Sequence, residues 1–567
     1  MTYLMATLLT IWLPLSGAQS QERTCPLKGP QFPAPRGLAS EAIFQKATGV
    51  IEQFIRANLE ESPYNETTFS IGMFSTTDDD KLLYEFHHTD PAVETSGLGT
   101  NKADADSIYR LASITKILTV YQWLIADGDR QFNKPISDFI PQLLEYQEDQ
   151  DYYPASRWDE ITVNDLAMFL AGIARDYGLN DVAVDGYIVS LLPTMAATVL
   201  PNNPANGIDV PADDDPVCGH FNTDVEYLPC SREVYIKAVA NLGSSFVPSY
   251  TPSYSNANFA LLGLGLENML GATVEDIFDE KIAKPLGLRS TTMGNPLQIT
   301  NDSVIPGGGL VRSGWWDALG PLNGAAGSFS TTNDLAAIGR SILNSSLIPQ
   351  AITRRWFSTT SFVDTIEQAV GRGWEIFRVH ANGHSVDLFT KSGTGAFITP
   401  FLSCCRYRQH APPGARQHRQ TAGECEFCGP IHSADEKANT SITVTTDGSL
   451  GLRVTEYIVS GVDLLGSVFA LFGSDVEFRL VPNQLYDGRT RVGFSAVYQP
   501  PSEIPPKEEF YWTCPSWLDI DDYTYADVPL GLMAFDVDAD GKATSVRLVA
   551  LRETLLRKST ANNTTNT

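Results

Sequence analysis

Basic residues are scarce in this chain: 40 Lys and Arg stand against 67 Asp and Glu, for a net charge of -27 over 567 residues. So acidic a surface repels phosphate backbones, which excludes nucleic acid as a partner. Apolar runs of membrane-spanning length are missing too, since a spanning helix needs about 20 apolar residues. The N-terminal stretch from Tyr3 to Leu15 is mostly apolar but too short for that, and Ser16-Gly17-Ala18 behind it supplies the small residues at which a signal peptidase cuts. No Lys or Arg precedes the run. The pattern reads as a signal peptide over residues 1–18, hence a secreted, extracellular protein that does not reside in a membrane.

Metal motifs are equally thin. Cys425-x-x-Cys428 is a single pair, and secretion favours a disulfide over zinc there. Asp536 to Gly541 opens like a calcium loop, but its twelfth position is Arg547 rather than Glu. Asp540-Gly541 is better read as a hairpin turn. No metal and no cofactor is expected.

What secretion permits is present. Sequons stand at Asn65, Asn301, Asn344, Asn439, Asn562 and Asn563. Of the 8 cysteines, Cys218 and Cys230 flank a short loop and form the best disulfide candidate. Cys25 with Cys514 would tie the two ends together, although sequence does not fix connectivity.

Along the chain, residues 19–40 form a Pro-rich, extended entry. Apolar spacing predicts a helix from Glu41 to Leu59. "TFSIGMFS" and "KLLYEFHHT" read as strands joined by an acidic turn. Thr162 with Asp165 signals a capped helix. "NFALLGLGLENMLG" and "ATVEDIFDEKIAKPLGL" read as helices, the second stopped by Pro285 and Gly287. "SFSTTNDLAAIGRSIL" is another capped helix, and strands return at "WEIFRVH", "SVDLFTKSG" and "AFITPFL". From about Thr440 the chain turns to closely spaced strands, a small barrel or curled sheet. The division expected is a domain of mixed helices and strands at 41–435, a β-rich domain at 436–558 and a polar tail at 559–567.

Three stretches carry residues able to do chemistry. In "YRLASITKILTVYQW", Ser113 and Lys116 lie three apart and share one helix face. Ser113 reads either as a helix cap or as a nucleophile, and a buried Lys is costly unless its charge is used. In "TPSYSNANFALLG", Tyr254 and Asn256 are two apart, on one side of an extended segment. They are a buried Tyr with a turn Asn, or a proton-shuttling phenol with a substrate-binding amide. In "FTKSGTGAFIT", Lys391, Ser392, Gly393 and Thr394 end a strand. They make a surface hairpin, or an edge strand beside a site whose glycine lets substrate approach the backbone.

In this order and spacing the three stretches resemble the serine β-lactamase and penicillin-binding protein superfamily. The likeness is greatest to the branch holding class C β-lactamases, related esterases, D-amino-acid peptidases and fungal acyltransferases. "ITVNDLAMFLAGI", "YSNANFALLGLGLENMLGATVEDIFDEKIAKPLGLRSTTM" and "GAAGSFSTTNDLAAIGRSIL" match in family order, so that the likeness spans about residues 40–400. The resemblance implies an α+β fold: an antiparallel sheet flanked by helices, with an all-helical part and the site between them. It implies that Ser113 attacks an acyl carbonyl, Lys116 and Tyr254 share the general-base work, and the Ser113 and Thr394 N–H groups hold the oxyanion. Lys391 and Asn256 then orient a small-molecule or peptide acyl substrate. Loops around 200–250 and 305–325 are expected to shape its pocket, and Trp315 and Trp316 within them are either pocket or packing residues.

Two departures stand out. "AMFLAGI" occupies the place where relatives usually carry a His or Thr before Ser-Gly. Residues 403–433 are anomalous: 4 Arg and no acid lie between Cys404 and Gly423, and half of all cysteines lie between Cys404 and Cys428. A gene-model error and a real disulfide-bearing insertion both explain that segment. The function expected is a secreted serine hydrolase of esterase, peptidase or β-lactamase type. An acyltransferase, or a non-catalytic secreted glycoprotein that uses the fold for binding, are the alternatives. Oligomeric state is not legible.

Overall fold

Two helices that are buried on nearly every side mark the core of the first domain. Thr115–Asp127 is buried from Thr115 through Leu124, and Asn256–Leu270 from Ala257 through Leu266. They meet where the Trp123 indole N–H donates to Leu262 O at 3.0 Å. A short helix, Asn323–Ala326, wedges against both. Its close approach requires glycine, since a Cβ on Gly324 would lie 2.6 Å from Phe259 O.

The computed structural model describes residues 36–557 except 61–63, 79–80, 149–152, 182–183, 185–215, 223, 225, 295–297, 307–312, 364–366, 382–383, 395–400, 406–426, 434–438, 448–450, 467–476, 500–516, 519 and 522. Cys25, Cys514, Asn562 and Asn563 therefore fall outside the described residues.

The helix predicted over 41–59 forms at Ala42–Asn58. Phe69–Met73 pairs antiparallel with Tyr84–His88, as the alternation suggested. Thr162 and Asp165 make a reciprocal capping box. Pro285 does not stop its helix. A π turn at Asp279–Ala283 precedes Lys284–Leu286, and Gly287, at φ 63°, ends the run. The wider turn accommodates a residue that has no N–H to give.

Beside the helices lies a five-stranded antiparallel sheet. Its order is Phe401–Cys405, His384–Ser392, Glu375–Ala381, Gln368–Val370, Ser361–Phe362. A smaller sheet sets Ser328–Ser330 between Tyr109–Arg110 and Thr292–Met293. This is the expected α+β arrangement, with helices against an antiparallel sheet.

The C-terminal part is all β, and it closes. Its strands run in the order Ser441–Thr445, Gly429–Ser433, Glu553–Leu556, Ala543–Leu548, Met533–Val537, Arg491–Gln499, Glu477–Pro482, Leu452–Val459. The last pairs back onto the first, making a barrel. Closure removes the exposed edges that an open sheet would leave. Its core includes Phe478, Phe494, Met533, Phe535 and Val546. Asp538 Oδ1 accepts the Asp540 and Lys542 N–H groups, and Gly541 adopts φ 84°, so "DVDADG" ends one strand and turns into the next.

Cys218 and Cys230 form the expected disulfide, and Cys428 is disulfide-bonded as well. Asn301, Asn344 and Asn439 are exposed, whereas Asn65 is half-buried. Among the described residues, no helix is long and apolar enough to cross a membrane, and no cluster of metal-ligating side chains occurs.

Candidate active site

The local structure decides what Ser113 is. It lies in a 3-10 turn, Ala112–Ile114, that runs into the Thr115–Asp127 helix, and no side chain caps either start. Ala112 holds φ 46°, a left-handed conformation that a non-glycine residue adopts only when its surroundings enforce it. Leu111 N–H donates to Ser328 O at 2.8 Å, and Thr115 bonds the Ser328 hydroxyl. The small sheet thus grips the turn from both ends.

One helical turn places Lys116 under Ser113. Its ammonium donates to Ser113 Oγ at 2.9 Å, Asn256 Oδ1 at 2.7 Å and Ala325 O at 3.1 Å. Three acceptors match the three N–H bonds of an ammonium. The Tyr254 hydroxyl donates to the same Ser113 Oγ at 2.8 Å. Tyr254 is brought there because Ser255 caps the Asn256–Leu270 helix. The Ser255 hydroxyl also reaches Ala174 O at 3.1 Å, tying the helix start to the loop before it.

Asn256 is engaged at both ends: Lys116 donates to its Oδ1, and its amide donates to Asp176 Oδ2 at 2.9 Å. Lys391 is 1% exposed and ion-pairs with Glu375, itself 2% exposed. Strand register explains the pairing, since Glu375 stands opposite Thr390, the neighbour of Lys391. The Ser392 N–H and hydroxyl donate to Glu375 Oε2 at 3.0 and 2.9 Å. Gly393 is buried and Thr394 exposed at the strand's end.

Three cations surround the phenol. Lys116 Nζ, Lys391 Nζ and the Arg175 guanidinium lie 5.0, 5.1 and 5.3 Å from the Tyr254 ring centre. Burial alone would push the phenol up, but Lys116 and Lys391 outweigh it and hold Tyr254 below its ordinary pKa. Burial pushes Lys116 down, with Tyr254 opposing that and Lys391 adding to it. Burial also acts to lower Lys391, yet Glu375 and Tyr254 hold it above its ordinary value. Hydroxyl, amine and phenol are therefore within proton-transfer reach, in a setting that favours the ionised phenol.

Five residues here carried no signal in the three motifs. Glu375, Arg175, Asp176, Trp517 and Asp521 come from a strand, a loop and a segment more than 250 residues beyond Tyr254 in the case of the last two. An acid inside the apolar run "WEIFRVH" was the one available clue to Glu375. Of the two tryptophans expected to shape the pocket, Trp315 is fully buried against Phe329 at 5.1 Å, a packing residue. Trp316 is 43% exposed.

Asp521 is 5% exposed, and among the described residues neither carboxylate oxygen has a hydrogen-bond partner. Burial pushes its pKa up to about 8, against a weaker opposing pull from Arg175. The folded protein thus keeps a proton there that the unfolded chain releases from about pH 4 upward. Stability from this group is complete below about pH 4 and falls, by up to about 1.4 kcal/mol per pH unit, until the folded group ionises. Asp521→Asn should therefore stabilise the protein more at pH 8 than at pH 5, as measured by denaturant unfolding at both values. An equal effect at the two pH values would contradict this account.

Known proteins bear on the site as follows. A family model described as Beta-lactamase matches residues 77–400. A second, described as Beta-lactamase-like-like, C-terminal domain, matches residues 419–559. Residues 401–418 fall in neither match. The chain is 25% identical over 557 residues to a protein of Arthroderma benhamiae named "Beta-lactamase-like protein", covering 87% of this chain and 88% of that one. It is 26% identical over 633 aligned positions to "Probable hydrolase clz13" of Cochliobolus lunatus, covering 98% and 95%. Over 306 residues it is 23% identical to "Putative D-alanyl-D-alanine carboxypeptidase" of Escherichia coli, covering 48% of this chain and 60% of that one.

Proposed function

The chain belongs to the beta-lactamase family, and on that premise we propose that it is a secreted serine hydrolase that cleaves an ester or amide through an acyl-enzyme on Ser113. The observation that carries this reading is the pair of contacts on one hydroxyl, Lys116 at 2.9 Å and Tyr254 at 2.8 Å.

In this mechanism the Tyr254 phenolate takes the Ser113 proton as Oγ attacks the acyl carbonyl. Lys116 is the less suited first acceptor, because all three of its N–H bonds are already directed at acceptors. Its charge instead stabilises the phenolate, and it relays the proton together with Tyr254. The N–H groups of Ser113 and Thr394 hold the oxyanion. Tyr254 returns the proton to the leaving group, then activates the water that releases the acyl chain. Asn256 fixes Lys116 against Asp176, and Lys391, anchored by Glu375, keeps a positive charge beside the phenol and the substrate. The signal-peptide pattern and the Cys218–Cys230 disulfide support secretion. The relatives named hydrolase and carboxypeptidase support hydrolysis of an acyl or peptide bond.

Labelling with a fluorophosphonate and with a fluorescent penicillin tests the reading. Wild type should label, and Ser113→Ala should not. Folded wild type that takes up neither probe would contradict it. A rate screen over acyl esters, D-amino-acid amides and β-lactams then assigns the substrate class.

A further inference from the structure

The catalytic phenol is not held by its own domain alone. The Tyr254 N–H donates to Trp517 O at 2.9 Å. The Trp517 ring lies 6.0 Å from the Tyr254 ring and 5.4 Å from that of Phe169, which itself stacks on Tyr254 at 5.2 Å. One residue on, Leu518 O accepts from the Arg175 guanidinium, the third cation over the phenol. Trp517 is 5% exposed and joins the first domain's core, although its segment lies between barrel strands Arg491–Gln499 and Met533–Val537.

Several described residues after Trp517 are pinned as well. Ile520 packs with Phe246 and Val497. Thr524 Oγ1 and the Asp527 N–H donate to Asp181 Oδ2 at 3.0 and 2.9 Å. Asp521 holds φ 56°. Ala526 and Asp527, at φ 45° and 63°, are the two central residues of the hairpin turn that pairs Thr524–Tyr525 with Val528–Pro529. The stretch that carries Trp517 is thus anchored to the first domain at Tyr254, Arg175, Phe246 and Asp181.

We propose that Trp517, carried on the segment between the barrel strands Arg491–Gln499 and Met533–Val537 rather than in the barrel core, is a positioning residue for the Tyr254 phenol. The inference rests on the reading of Tyr254 as the base. Trp517 acts through main-chain and ring contacts that fix where the hydroxyl meets Ser113. A base displaced by even about 1 Å can lose about a hundredfold in rate.

The test compares Trp517→Leu, Trp517→Phe, Phe169→Leu and a barrel-core control, Phe535→Leu, in the full-length protein. Phe535 is buried in the barrel away from Tyr254. Each is read by Tm, by kcat and KM on the best substrate of the screen, and by the rate of fluorophosphonate labelling. Trp517→Leu and Phe169→Leu should lose about tenfold or more in kcat and labelling rate, with KM within about threefold. Trp517→Phe should recover most of that loss. Phe535→Leu should lower Tm at least as much as Trp517→Leu while leaving kcat intact. Trp517→Leu with wild-type kcat, or Phe535→Leu with the same kcat loss, overturns the proposal. Tyr254→Phe, run alongside, separates the two layers: if it alone is crippled the inference falls by itself, and if it is fully active the base reading falls as well.

Discussion

Tyr254→Phe should fold as wild type and lose about 10²- to 10⁴-fold in kcat, the range that general-base groups contribute. Only one oxygen is removed, with its 2.8 Å bond to Ser113 Oγ and its interactions with Lys116 and Lys391. The ring keeps its stack on Phe169 and its place beneath Lys116 and Lys391. The pH profile makes the expectation sharper. The working form of the phenol is ionised, so kcat/KM should rise with pH through the Tyr254 pKa. Against burial, Lys116 and Lys391 hold that pKa below its ordinary value. The rising limb should therefore lie below the pH at which a free phenol ionises, about 10. Replacing Lys391 by Met and Glu375 by Gln together removes the cation with its counter-ion and should move the limb upward. Tyr254→Phe within threefold of wild type would contradict the assignment.

The second large effect is on stability. Glu375→Ala should cost about 3–5 kcal/mol, because it leaves the charge of Lys391 buried with no carboxylate beside it. Lys391 and Glu375 are 1% and 2% exposed, so water screens neither. The Ser392 N–H and hydroxyl lose their acceptor in the same step. The paired change Glu375→Gln with Lys391→Met should recover most of that stability, since it removes both charges at once. It should not recover kcat, since the positive charge beside Tyr254 is gone. Denaturant unfolding measures the first part and steady-state rates the second. A Glu375→Ala protein within about 1 kcal/mol of wild type would show that the pair is not what holds the strand end.

Both effects follow from residues of unequal legibility. Ser113, Lys116, Tyr254 and Lys391 were readable because their spacing is fixed by short-range geometry: one helical turn, one extended dipeptide, one strand end. The helices around them were readable for the same reason, down to the capping box of Thr162 and Asp165. Glu375 was harder to see, since what joins it to Lys391 is cross-strand register, a property of two strands together. Trp517 and Asp521 were invisible. They lie beyond the barrel strand Arg491–Gln499, and only domain docking carries them to Tyr254 and Arg175. The Pro285 helix illustrates a third case: a local stop signal was overridden by a π turn that no periodicity announces.

The most direct measurement is the mass of the protein after reaction with a fluorophosphonate, followed by mapping of the modified peptide. One adduct per chain, on the peptide that contains Ser113 and absent from Ser113→Ala, is the result expected. An adduct on a different residue, or folded protein that gains no mass while a known serine hydrolase in the same tube does, would contradict the account.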